Sequence, residues 1–274
     1  MCDERIDTGT DMLLASKTDG VGILTLNRPD RRNALAEPMF GALRTALQRF
    51  AADHDVGCIL LTGAGEAFCA GGDTKEFRQA GAGRRRTFQE RYDELLSHTE
   101  TSRLLHEHPK VSVAAIPGPA VGAGLGLALA CDLRIAARGA SLVTGWSRLG
   151  LSGDYGTTWF LTRLLGPSQA LELMMRSEAV DAGLAERLGL VNRVVADADL
   201  GAEAMAWARV IASGPTLAWR YMKVNVRAAM QHDLAGALPI ETENLVHCTF
   251  TQQHREALLA LREGRPPLFR SAGP

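Results

Sequence analysis

Apolar and polar positions change their rhythm half-way along this chain. In the first half they come in short bursts. Val21–Leu26 alternates apolar with small or polar residues, the period-two signature of a strand, and Asn27-Arg-Pro-Asp30 breaks it. Gly57–Thr62, Val111–Ile116 and Leu133–Ala136 are brief apolar runs of strand length. Between them, Pro38 opens a predicted helix to about Ala52, with Leu43, Leu47 and Phe50 near one face. Residues 71–90 read as a glycine- and arginine-rich loop, and Arg91 to about His106 as an amphipathic helix. After the Pro117-Gly-Pro119 turn, Ala120–Ala130 reads as an apolar helix.

The second half keeps a helical period through Gly156–Leu165, Pro167–Met175, Asp181–Leu188, Leu200–Ala212 and the long stretch from Leu217 to about Leu261. Strands alternating with helices predict an α/β fold. Because the strands concentrate early, we expect a ββα-type core over residues 12–200, a helical C-terminal module over 201–270, and a loose tail over 1–11.

Composition narrows the function classes. The 274 residues suffice for one sizeable core, and a net charge of −1 leaves no basic excess of the kind that binds nucleic acid. The five cysteines are widely spaced with no C-x-x-C, which predicts free thiols in a reducing, cytoplasmic setting. The polar N-terminal stretch has no signal-peptide pattern. Val111–Cys131 carries no charge and is long enough to suggest a membrane span, but its Pro-Gly-Pro turn and glycines break such a helix.

Two segments carry candidate chemistry. Gly65-Glu-Ala-Phe-Cys-Ala-Gly-Gly-Asp73-Thr-Lys75 follows a buried strand, and its glycines let the backbone approach a ligand. Gly118-Pro-Ala-Val-Gly122-Ala-Gly124-Leu-Gly126 leads a strand into a helix, whose start offers unpaired N–H donors. One N–H from each segment would make an oxyanion hole. The alternative is that both clusters are tight turns only.

These residues, in this order, resemble the crotonase superfamily of enoyl-CoA hydratases and isomerases. The resemblance rests on Leu26-Asn-Arg-Pro29 with Asn33-Ala-Leu35; Leu61-Thr-Gly63 with Phe68–Asp73; Ile116–Gly124 with Cys131-Asp132; Leu149-Gly-Leu151 through Gly166; and Ala185–Val195. It spans roughly residues 12–270. It implies a spiral of ββα turns, a C-terminal trimerisation module, a homotrimer or hexamer, and an acyl-CoA thioester as substrate. It implies no metal and no cofactor beyond the coenzyme A of the substrate, and no nucleic-acid or membrane partner. By position, the Gly72 and Ala123 N–H groups would hold the thioester oxygen. Arg32, Lys75 and the Ala34 backbone match positions near the CoA nucleotide, and Gly264–Phe269 resembles the end that contacts CoA. The family's lysine there is replaced by Gly264.

The chain also departs from the hydratases. Their two glutamates, which move the protons of water, align with Gly126 and Trp146. What remains is Asp154, in a glycine-flanked loop before a helix. It reads either as a helix N-cap or as the single carboxylate of an isomerase, moving a proton between carbons. Trp146 would wall the acyl pocket. Trp146 and Asp154 also resemble the tryptophan and nucleophilic aspartate of 4-chlorobenzoyl-CoA dehalogenase, where a histidine on the preceding helix activates water. Here Thr99 occupies that slot and His98 is one residue away. A non-catalytic acyl-CoA binder is the third reading.

Other features are weaker. Gly145-Trp-Ser147-Arg-Leu-Gly150 misses the nucleophile elbow by one residue, and Gly122–Gly126 misses the dinucleotide fingerprint. Arg84-Arg-Arg86 with Arg78 and Arg91 reads as a solvated face or an attractor of CoA phosphates. His106 and His108 are too close in sequence to share a helical face. Glu241 and Glu243 read as surface charges.

Overall fold

A computed structural model describes residues 4–73 and 87–269. Its main sheet has seven strands: β1 (Glu4–Ile6), β2 (Leu13–Thr18), β3 (Val21–Leu26), β4 (Cys58–Gly63), β5 (Val111–Ile116), β7 (Leu133–Ala137) and β10 (Arg193–Val195), in that spatial order. The first three are antiparallel, and β3-β4-β5-β7-β10 are parallel. Asp19-Gly20 joins β2 to β3 with both residues at positive φ, as a two-residue hairpin turn requires. The parallel strands are buried on both faces, so β4 and β5 read as unbroken apolar runs. A second sheet of β6 (Ala120–Val121), β8 (Ser141–Val143) and β9 (Val180–Asp181) stands beside it.

The helices among the described residues are α1 (Glu37–Ala52), α2 (Phe88–Glu107), α3 (Ala123–Ala130), α4 (Thr157–Leu165), α5 (Pro167–Arg176), α6 (Ala182–Arg187), α7 (Leu200–Ser213), α8 (Thr216–Ala229), α9 (Leu234–Thr249) and α10 (Gln252–Glu263). The apolar helix expected over Ala120–Ala130 begins only at Ala123. Gly122 sits at φ 55, ψ −123, outside helical space, and leaves Ala120-Val121 to pair with β8. The span Val111–Cys131 is thus a strand, a turn, a second short strand and a two-turn helix. No helix of the described residues is long and apolar enough to cross a membrane.

Helix α7 lies on β3, β4, β5 and β7 through Leu200, Ala204, Ala208 and Ala212, one small or apolar residue per turn. The remaining C-terminal helical segment starts at Thr216. Lys223 of α8 fastens it to the core. Its ammonium donates to Asp132 Oδ2 at 2.6 Å and to the carbonyls of His108 and Lys110, and Asp132 also accepts from Ser112. Burial pulls the Lys223 pKa down while Asp132 pulls it up, so the pair is costly to break from one side.

Candidate active site

The two glycine-rich segments are laced together edge to edge. Phe68 and Cys69 N–H groups donate to Pro119 O at 3.1 and 3.2 Å, and Val121 N donates to Cys69 O at 2.9 Å. This lacing needs small residues: a Cβ on Gly124 would stand 2.4 Å from Cys69 O. A Cβ on Gly71 would lie 3.4 Å from the Ala123 nitrogen, so the peptide unit that ends in the Gly72 nitrogen passes beside the start of α3. The first bond of the α3 ladder runs from Gly126 N to Gly122 O, which leaves the Ala123 N–H outside it. Neither this N–H nor that of Gly72 donates to an acceptor among the described residues. Two free donors at the positive end of a helix are suited to an oxygen that gains charge.

The turn before α1 buttresses the same loop. Buried Asn33 accepts from Arg28 N and donates to the carbonyls of Ala64 and Ala67. Leu35 N donates to Gly71 O at 2.8 Å and Ala70 N to Arg32 O at 2.9 Å. Arg28 bridges Ala34 O, at 2.7 Å, and Asp73, at 3.0 Å. Of the predicted CoA contacts, Arg32 (exposed, φ 49) is bonded directly to the predicted oxyanion loop and Ala34 (buried) is linked to it through Arg28. Nothing in the sequence pattern singled out Arg28, whose role depends on residues 6 and 45 positions away. Lys75, Arg78 and Arg84–Arg86 lie outside the described residues.

Asp154 lies in the loop just before α4. The carboxylate does not cap α4: the N-cap residue is Gly156, and no side chain bonds the first turn. Oδ1 of the Asp154 carboxylate is buried without a partner. Burial pushes the Asp154 pKa up, against the nearby Trp146 indole and the charge of Arg91, which both pull it down. The Trp146 ring lies within about 4 Å of the Cβ positions of both Gly122 and Gly153, so one flat side chain joins the oxyanion turn to the carboxylate loop.

The first of the two hydratase glutamate positions is physically closed. A Cβ on Gly126 would meet Tyr155 Cβ at 2.6 Å and Thr157 Oγ1 at 2.8 Å. Gly126→Glu is thus expected to create no hydratase activity and to cost at least about 1–3 kcal/mol by overpacking. A fall in melting temperature checks this. An unchanged melting temperature with new hydration of crotonyl-CoA would refute it.

The water-activating slot of the dehalogenase reading holds Thr99, whose hydroxyl donates to Leu96 O. His98 is turned to α1. Its ring stacks on Phe40 at 3.9 Å and its Nε2 meets Glu37 at 3.0 Å. Glu37, Glu94 and His98 bring ligand-type atoms within 4.8 Å of one another, a grouping sequence spacing did not reveal because Glu37 comes from another helix. Glu94 is already paired with Arg91 at 2.8 Å. At the C-terminus, Arg265 is held by Glu256 and Glu263 at 2.6 Å each. Glu241 and Glu243 are exposed.

A model of the enoyl-CoA hydratase/isomerase family matches residues 16–272. The chain belongs to this family. Membership in the enoyl-CoA hydratase/isomerase family, and so in the crotonase superfamily, agrees with the fold. The crystal structure of an enoyl-CoA hydratase from Polaromonas sp. JS666 superposes with a TM-score of 0.88 at 30% identity, covering 93% of this chain and 98% of that one. The family relatives differ in chemistry. A 1,2-epoxyphenylacetyl-CoA isomerase of Escherichia coli is 33% identical over 94% of this chain and 98% of its own length. A 4-chlorobenzoyl coenzyme A dehalogenase of Arthrobacter sp. is 32% identical over 84% of this chain and 82% of its own.

Proposed function

We propose that this chain is an acyl-CoA enzyme that stabilises a thioester enolate and works as an enoyl-CoA isomerase or hydratase-like lyase, with Asp154 as its single acid/base. The Gly72 and Ala123 N–H groups hold the thioester oxygen. As a proton leaves the acyl group, that oxygen gains negative charge, and fixed donors stabilise the charge without reorganising. Asp154 takes the proton from one carbon and returns it to another. The Trp146 ring walls a pocket for an unsaturated or aromatic acyl group. Arg32, Ala34 and Lys75 serve the CoA nucleotide. No metal or redox cofactor enters the scheme. The reading places the enzyme in the cytoplasm as a homotrimer or hexamer, for which exposed Leu234, Leu245 and Phe250 supply apolar surface.

The observation that carries this reading is the state of Asp154: Oδ1 buried without a partner, with burial raising the pKa. A raised pKa suits a group that must both accept and give a proton. The packing of the Trp146 ring against the Asp154 loop also favours a second reading, a hydrolytic aryl-CoA dehalogenase with Asp154 as nucleophile. His98, engaged by Glu37, weighs against it.

Incubation with crotonyl-, 3-enoyl- and arylacetyl-CoA in deuterated water separates the readings by mass spectrometry. The expected product carries deuterium at Cα without the mass of added water. Added water indicates hydration, and halide release from a haloaryl-CoA indicates the dehalogenase. No change in any thioester would overturn catalysis in favour of simple acyl-CoA binding.

A further inference from the structure

Beside the start of α4 lies an open cavity of about 700 Å³, lined by α2, α4, α8 and α9. The volume suits a small organic ligand. Gly156, two residues after Asp154, lines it, and Thr99 opens its α2 wall. Thr99 is eight residues along α2 from Arg91, whose charge reaches Asp154, or about 12 Å along the helix axis.

One wall of this cavity is aromatic. His106 meets Trp159 and Phe160 edge-on at 5.0 and 5.4 Å, and these two rings meet at 5.1 Å. Burial, and then the charge of Arg227, push the His106 pKa down, so the imidazole is neutral and joins the apolar wall. The cations facing the cavity differ in their state. Arg103 is bonded by Glu100 and Glu107. Arg227 has a hydrogen bond to His106 O at 3.2 Å and no ion pair among the described residues.

Ser102 is the second, independent sign. The residue is 3% exposed and lines the cavity, and its hydroxyl is buried without a partner. Buried hydroxyls are ordinarily satisfied, so an orphan one beside a cavity points to a guest that bonds it.

We infer that this cavity binds an organic carboxylate with a flat apolar body, its anionic end on Arg227 and the Ser102 hydroxyl and its body against Trp159. Two sources supply that chemistry. One is the far end of the acyl group of the CoA substrate, in which case the inference rests on the proposed function and narrows its substrates to acyl groups that end in an acid. The other is a free unsaturated or aromatic acid.

Calorimetric titration of the full chain with cinnamate, against cinnamamide as the uncharged control, reads the free source. A pair of equal-length acyl-CoA thioesters, one ending in a carboxylate and one in a methyl group, reads the tethered source. The carboxylate member of at least one pair is expected to be preferred about 10- to 100-fold, the range of a charge-assisted hydrogen bond, in Kd or in KM. Arg227→Gln removes that preference. Because Arg227 also holds the His106 carbonyl, Ser102→Ala is the second variant. It weakens the carboxylate several-fold without lowering the melting temperature, since it deletes a hydroxyl that lacks a partner in the free protein. Absence of a carboxylate preference in both pairs, or a preference untouched by either variant, overturns the inference. Binding of the acid through Arg227 in a protein that turns over no thioester overturns the proposed function alone.

Discussion

Replacing Ala123 with proline is expected to lower kcat/KM by about 10²–10³-fold, the usual cost of one oxyanion donor. The substitution is chosen for its position. Ala123 is the first residue of α3, where a helix tolerates proline because the N–H has no partner in the ladder. The N–H is deleted while α3 and its dipole remain. Ala123→Ser keeps the backbone donor and is the control, expected to stay within a few-fold of the parent in rate. Steady-state kinetics on the best thioester from the deuterium screen, with circular dichroism and a melting curve, decide the matter. A proline variant that keeps full activity would remove Ala123 from the proposed site, and with it the pairing to Gly72.

The parallel core was legible because its strands are buried on both faces. Cys58–Gly63 and Val111–Ile116 stand out as apolar runs without any partner being known. Strand β2 was missed, although Asp19-Gly20 marks the hairpin that joins it to β3. Its residues Ser16, Lys17 and Thr18 are polar and only half-buried at the sheet's antiparallel end, so periodicity was faint. Strands β6, β8 and β9 have two or three residues each and exist only because Gly122 turns the chain and a neighbour accepts it. No local pattern announces such pieces.

In the site, glycine spacing and family order indicated Gly72, Ala123, Trp146 and Asp154, and the fold brings Trp146 onto Asp154. The roles of Arg28, Tyr155 and Ser102 were illegible. Each is defined by what another segment places against it: Asp73 for Arg28, the α3 glycine for Tyr155, an unfilled cavity for Ser102. The exclusion of a glutamate at position 126 likewise depends on Tyr155 and Thr157, some thirty residues later in the chain.

Asp154→Asn is expected to lower turnover by about 10²–10⁴-fold, the range for a lost acid/base, while leaving the protein at least as stable as the parent at neutral pH. The second half of this expectation follows from the raised pKa. Burial makes the folded protein hold the Asp154 proton more tightly than the unfolded chain does, whose reference value is 3.8. The stability this group contributes is therefore complete below that value and is lost as the pH rises through the higher folded pKa. Asparagine carries no charge and escapes that loss. Melting temperatures of parent and variant should thus converge in acid and separate above the folded pKa, with the variant higher. The same carboxylate sets the acid limb of kcat/KM, because it must be ionised to take a proton. The midpoint of that limb is expected above 3.8, and Trp146→Phe, which removes the indole N–H that favours the charged form, moves it further up. An acid limb unmoved by Trp146→Phe, together with near-normal turnover in Asp154→Asn, would mean that the proton is carried by another group.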